Sequence, residues 1–187
     1  KNPSNITVKV TVNLKDGEPE ELVNLALGKY GTKFAATHTN PGDRLEDLND
    51  GIISAREGGQ LDDGPRNKWS SWPQRGVQQT ITLTLDGVQE VRRIDWYATF
   101  DGGGVKKPAK IEVQVLDGET WKTVATATAD DGVEFSNEYT VNCFDKNSKI
   151  YHYTLNTGVQ KTSQLRLVLT PQDKVCVGAS ELEVWGK

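Results

Sequence analysis

TITLTLDGVQEVRRIDWYATF, residues Thr80 to Phe100, carries two strand signatures around a single turn signal. From Thr80 to Leu85 apolar and hydroxyl side chains alternate one for one, the period of a half-buried strand. Asp86-Gly87 then interrupts the run. A second run follows from Val91 to Phe100, with Ile94, Trp96 and Ala98 on one face and Arg93, Asp95 and Tyr97 on the other. Ile111, Val113 and Val115 form a third run, closed by Asp117-Gly118, and Trp121 to Thr128 returns as its hairpin partner. Further runs lie at Glu138–Phe144, Ile150–Leu155, Leu165–Leu169 and Leu182–Trp185. Asp-Gly occurs seven times, always between or beside such runs, because glycine accepts the positive φ that tight turns demand. Apart from a turn or so near Arg44–Leu48, no stretch keeps a 3.6-residue amphipathic period. Nor does any sequence repeat at a fixed interval, which excludes a solenoid. The pattern predicts an all-β chain folded as a single antiparallel β-sandwich.

The totals agree. A chain of 187 residues suits one domain with a real core, and 35% hydrophobic and 26% charged residues are a globular balance. Net charge is only −4 and the Lys and Arg are scattered, so the basic stripe of a nucleic-acid binder is missing. No apolar run nears the roughly 20 residues of a membrane span. No secretory signal peptide opens the chain, and Lys1 in place of Met reads as a fragment of a longer one.

Residues 1–22 read as a leader. Ile6, Val8, Val10 and Val12 alternate with polar residues before the turn-rich Lys15–Glu20. This piece is either an edge strand or the end of a preceding module, with the domain itself at 23–187. Cys143 and Cys176 match no paired metal spacing and read either as one disulfide or as two buried thiols. His38 and His152 stand far apart and pair with no cysteine at finger spacing, which argues against zinc.

Several segments, taken in order, resemble one family. Asn24-Leu25-Ala26-Leu27-Gly28-Lys29 opens the core and Leu48-Asn49-Asp50-Gly51 follows a polar loop. Trp69, Arg92–Tyr97, Pro108, Asp117-Gly118 before Trp121, and Ala179–Val184 come next. This succession, from about Asn24 to Lys187, resembles the discoidin, or coagulation-factor type C, galactose-binding-like domains. Within them it looks most like the carbohydrate-binding modules of bacterial glycoside hydrolases, particularly large surface β-galactosidases. The long loop between Gly51 and Trp69 and the segment Asn142–Thr157 depart from the commoner members. The resemblance implies a jelly-roll sandwich, an extracellular place on a bacterial surface or in secretion, and a monomeric module beside a catalytic domain.

It also implies a structural calcium ion, which takes six to eight oxygens. The implied ligands are the Asp50 carboxylate, the Asp47 and Ile52 carbonyls, Asn67 where the family has Thr, the Ser180 carbonyl and the Glu181 carboxylate. Without the resemblance, Asp50-Gly51 is equally a plain turn and Glu181 a solvated strand residue. The family buries aromatic residues where Trp69, Trp96, Trp121 and Trp185 stand, which implies core packing for all four.

Trp72 differs, because it sits in the polar loop Ser70–Gly76. It reads either as a lid over the core or as a plate for the apolar face of a sugar ring, whose hydroxyl rim polar side chains would hold. Loops 37–44 and 100–107 are expected at the same end. They offer His38, Asn40 and Arg44, and Phe100, Asp101, Lys106 and Lys107, beside Arg75 of the Trp72 loop. Asn137, Tyr139, Tyr151 and Tyr153 form a further candidate wall. Gly102–Gly104 reads as a flexible turn, since it lacks the order of a phosphate-binding loop and no helix follows.

The acids Asp43, Glu46, Asp47, Asp50, Asp62 and Asp63 crowd one region, as a glycosidase pair or a calcium loop both would. No nucleophile elbow is present, and neither histidine has a local catalytic signature. The expectation is a non-catalytic module that binds galactose or β-galactosides such as lactose and N-acetyllactosamine, targeting an attached glycoside hydrolase to glycans. The alternatives are a protein- or membrane-binding adhesion module of the same fold, and an inert spacer.

Overall fold

In a computed structural model the described residues are 11–12, 20–53, 68–136 and 148–187. The strand expected at 138–144, most of the 1–22 leader, Asn67, Asp62, Asp63, Asn137, Tyr139 and Cys143 lie outside them. Eleven strands are formed among the described residues: β1 Thr11–Val12, β2 Glu20–Glu21, β3 Val23–Asn24, β4 Lys33–Ala36, β5 Trp69–Ser70, β6 Gln79–Phe100, β7 Lys110–Asp117, β8 Thr120–Thr128, β9 Val133–Phe135, β10 Lys149–Thr170 and β11 Gly178–Gly186. The turn of helix expected near Arg44–Leu48 is a 3₁₀ turn at Leu45–Asn49. β1 and β2 pair with each other. The other nine form one antiparallel ladder in the order β3-β11-β6-β10-β7-β8, with β4 on β6, β5 on β11 and β9 on β10.

The ladder becomes a sandwich because its two longest strands bend together. The sequence reads Thr80–Leu85 and Val91–Phe100 as two strands, yet both belong to β6, and Ile150–Leu155 and Leu165–Leu169 both belong to β10. Leu85 to Val88 stand opposite the single residue Ser163, and Thr157 to Val159 opposite Arg92. Such bulges raise the local twist and turn a strand through a corner without ending it. Gly87 in the first, at φ 76°, supplies a conformation that a Cβ would oppose. Either side of the corner, Ile81, Leu83, Leu165 and Leu167 meet Ile94, Trp96, Leu155 and Leu182 in one core. Alternation survives, so polar residues face out.

Two of the four tryptophans expected in the core behave so. Trp69 and Trp96 are wholly buried, edge to face with centroids 6.4 Å apart. Trp121 is half-buried on the outer side, its ring beneath the Arg166 guanidinium at 4.3 Å, because its strand position points away from the core. Trp185 is buried on the outer face under Arg93, at 5.2 Å. That outer face also holds a polar cluster: Asp95 accepts from Arg93 Nε, His152 Nε2 and Thr154 Oγ1, and Tyr97 stacks on His152. Cys176 is a buried free thiol, and burial pushes its pKa up. No helix among the described residues is long and apolar enough to cross a membrane.

Candidate functional site

The segment Val175–Val177, just before β11, organises one end of the sandwich. Its backbone groups point alternately to two sides, as in any extended chain. Toward one side, Gly76 N–H donates to Val175 and Ser71 N–H donates to Val177. Toward the other, Cys176 N–H donates to Gly104 and Lys106 N–H donates to Cys176. Loops 71–76 and 101–107 are thereby clamped either side of one spine. Loop 37–44 joins them through β5: Trp69 Nε1 donates to the His38 carbonyl, Asn40 N–H to Ser70, and Ser70 Oγ to Asp43 at 2.5 Å.

Trp72 stands where these loops meet and is 37% exposed, so it is not a buried lid. The edge of its indole rests on Gly104, where a Cβ would lie 2.4 Å from Cζ3. His38 Nε2 contacts the Trp72 carbonyl at 3.0 Å, and since a carbonyl only accepts, that nitrogen carries the proton. The Arg75 guanidinium lies over the indole at 4.5 Å, and Arg75 Nη1 donates to the Lys174 carbonyl. Lys106 and Lys107 follow Gly104, and Lys107 Nζ sits 4.7 Å from the centre of the Tyr151 ring. Tyr153, by contrast, is fully buried in the core, its hydroxyl bonded to Ala129.

Two other expected hydroxyl partners have different roles. Asp101 Oδ1 accepts from Gly103 and Val105 N–H, which folds its own loop into the turn that carries Gly104. Arg44 turns away to an ion pair with Asp47 at 2.6 Å. Asn40 is held by its backbone to β5 and to Asp43, and Phe100 closes β6, half-buried opposite Lys149.

The second feature is a pair of carboxyls. β11 has a bulge between Ala179 and Glu181, so Ser180 has no partner on β6. The extra residue turns Glu181 inward beside Leu182 and leaves the Ser180 carbonyl outside the ladder register. Glu181 is wholly buried; its Oε2 accepts from Gly51 N–H at 3.2 Å and its Oε1 has no hydrogen-bond partner. The Asp50 carboxyl stands close enough for its charge to act on Glu181, and its Oδ1 accepts from Ile52 N–H at 2.8 Å. Burial first, then the Asp50 charge, pushes the Glu181 carboxyl well above the usual carboxylate range; Asp50 is raised too, chiefly by desolvation. Asp47 is expected through its carbonyl, but its buried carboxylate also faces this region, with Oδ2 unpartnered. No three His, Cys, Asp or Glu side chains gather as a metal cluster among the described residues. The Glu181 carboxyl, with Oε1 unpartnered, and the Asp50 carboxyl beside it offer oxygen donors of the kind a hard divalent cation takes.

The F5/8 type C domain model matches residues 54–176. The chain belongs to the F5/8 type C domain family. No curated protein sequence matches this type C domain. Solved structures similar to it include the family 32 CBM, a carbohydrate-binding module, from Clostridium perfringens NanJ in complex with galactose, at TM-score 0.58 and 14% identity over 87% of this chain and 99% of that one. A structure of the Streptococcus pneumoniae β-galactosidase BgaA matches at TM-score 0.62 and 16% identity, over 88% and 99%. Chitosan-binding module 1 from a Paenibacillus sp. IK-5 chitosanase/glucanase matches at 0.55 and 19%, over 88% and 99%. The fold of this type C domain is thus the one used by non-catalytic carbohydrate-binding modules of bacterial glycoside hydrolases.

The clamp at Val175–Val177 and the bulge at Ser180 are absent from the sequence reading. Val175-Cys176-Val177-Gly178 is a short apolar run, and that is the available signal. Gly104 read as a flexible turn, whereas its missing Cβ makes room for the indole.

Proposed function

We propose that this domain is a carbohydrate-binding module that holds galactose or β-galactosides against Trp72 and directs an attached glycoside hydrolase to glycans. The observation that carries the reading is the exposed Trp72 indole, fixed between Gly104, His38 and Arg75 where three clamped loops meet. An indole offers its π surface to the C–H face of a sugar ring, while Arg75 and Lys106 offer donors to the hydroxyls and His38, whose Nε2–H is given to the Trp72 carbonyl, offers Nδ1 as an acceptor. A fixed platform needs no ordering on binding, which favours affinity. One shallow plate and a few exposed hydrogen bonds give about 4–8 kcal/mol, a Kd between millimolar and micromolar.

Calcium is part of the proposal. Asp50 and Glu181, with the Asp47, Ile52 and Ser180 carbonyls and Asn67, would hold it and join the 47–52 loop to β11. When bound, the ion would supply charge neutralisation for the buried Glu181 carboxylate and the exposed Asp50 carboxylate beside it. The rest is done by the chain: Gly51 N–H and the Ser180 bulge orient Glu181 toward Asp50.

Titration calorimetry with lactose tests the reading. Wild type is expected to bind in the stated range, and Trp72→Ala to lose at least about tenfold with an unchanged melting temperature, the ring being largely outside the core. Equal binding by both proteins contradicts the assignment of Trp72.

A further inference from the structure

The structural neighbours include a module complexed with galactose and another that binds chitosan, a polycation, so the fold leaves the charge of the ligand open. Arg75, Lys106, Lys107 and Lys174 all lie on the loops that the Val175–Val177 spine brings together. None of the four makes an ion pair among the described residues; Arg75 and Lys107 lie over aromatic rings instead. Against them stand Asp101, one oxygen of which is held by two N–H groups of its own loop, Asp173, and Asp43, which is buried on loop 37–44 and accepts from Ser70 Oγ. Arg44, a further cation nearby in sequence, is committed to Asp47. This end is therefore locally positive on a chain whose net charge is −4. Charge of one sign collected against the overall balance marks the partner's sign.

Arg75 sets the geometry. Its guanidinium lies over one face of the indole, so a neutral sugar stacking on that face has to move it. A carboxylate or sulfate instead meets a planar fork already held by the ring and by the Lys174 carbonyl, and such a fork takes an oxyanion through two parallel N–H bonds. We propose that the Trp72 site selects saccharides that carry an oxyanion, a carboxylate or a sulfate ester, with Arg75 as the group that binds it. This rests on the carbohydrate-binding reading and names the ligand class within it.

The test is calorimetry of the full chain with lactose, 3′-sialyllactose, 6-sulfated lactose and a chitosan trimer. Each is run at about 0.02 M and about 0.3 M salt, where the Debye length falls from roughly 20 to roughly 6 Å. At low salt one or both acidic ligands are expected to bind at least about tenfold tighter than lactose, the effect of one charge-assisted bidentate contact. High salt should narrow that ratio, and Arg75→Gln should bring it close to one while the melting temperature holds. The better acidic ligand tells carboxylate from sulfate. Lactose binding as tightly as both acids, preference for chitosan, a ratio indifferent to salt, or a ratio retained in Arg75→Gln overturns the inference but leaves a carbohydrate module. If no saccharide binds under any condition, the carbohydrate reading itself falls.

Discussion

Replacing Glu181 with glutamine is expected to shift stability in opposite directions with and without calcium. Without the ion, Glu181 is a buried acid with one oxygen unpartnered and the Asp50 carboxyl beside it. At pH 8 its ionised form is opposed by burial and by like charge. Glutamine keeps the shape, removes the charge and can donate toward Asp50. The metal-free variant should then be more stable than wild type by about 1–3 kcal/mol, or about 2–10 °C in Tm for a domain of this size. With calcium at about a hundred times its Kd the wild type gains roughly 2.7 kcal/mol, and the variant, short of a charged ligand, gains little. The variant's advantage in Tm therefore closes, and the order reverses wherever that advantage is below about 2.7 kcal/mol. The pH dependence has a fixed sign. The folded carboxyl is raised, so the native state holds its proton where the unfolded chain has lost it, and metal-free stability falls as pH climbs from the ordinary Glu value through the folded one. Calcium should flatten that slope and give its largest shift at the alkaline end. Scanning calorimetry of both proteins, in chelator and in calcium, from pH 5 to pH 9, reads all of this. A glutamine variant that is less stable in chelator, or that responds to calcium as wild type does, refutes the reasoning.

Two further perturbations separate the loops from the frame. Gly104→Ala puts a methyl 2.4 Å from Trp72 Cζ3, so the indole has to withdraw by about 1 Å to reach ordinary contact; lactose affinity should fall several-fold with little change in Tm, and unchanged affinity would show that the ring's position is unimportant. Asp95→Asn strips the outer-face cluster of its charge. Burial alone would raise Asp95, but the His152 hydrogen bond and the Arg93 charge offset that and hold it low, so its stabilisation is present above the ordinary Asp pKa and is lost as pH falls through the depressed one. The variant should lose about 2–4 kcal/mol near neutral pH, less in acid, with sugar binding intact; a loss independent of pH would contradict the ion-pair account.

Strand alternation makes the sheet readable because each inward residue is chosen by burial. Ile81, Leu83, Ile94 and Trp96 are inward in the sequence and in the fold. The corner at Gly87 is harder, since a turn residue looks the same whether a strand ends there or bends and continues as β6 does. Trp121 misled because a matching place in the family's sequence does not tell a core ring from one lying under Arg166. At the Trp72 end the loops could be grouped from sequence, but side-chain commitments could not. Asp101 is spent on its own turn and Arg44 on Asp47, choices made by local backbone geometry that leaves no periodic trace. The Asp50–Glu181 meeting joins residues 131 positions apart and came from the family resemblance, as no local pattern links them.

The most direct test is a crystal of the chain grown with calcium and soaked in lactose or its sialylated form. The account predicts a saccharide ring against Trp72 with its polar rim toward His38 and Arg75. A ring seated elsewhere, with the indole at residue 72 bare, would contradict it.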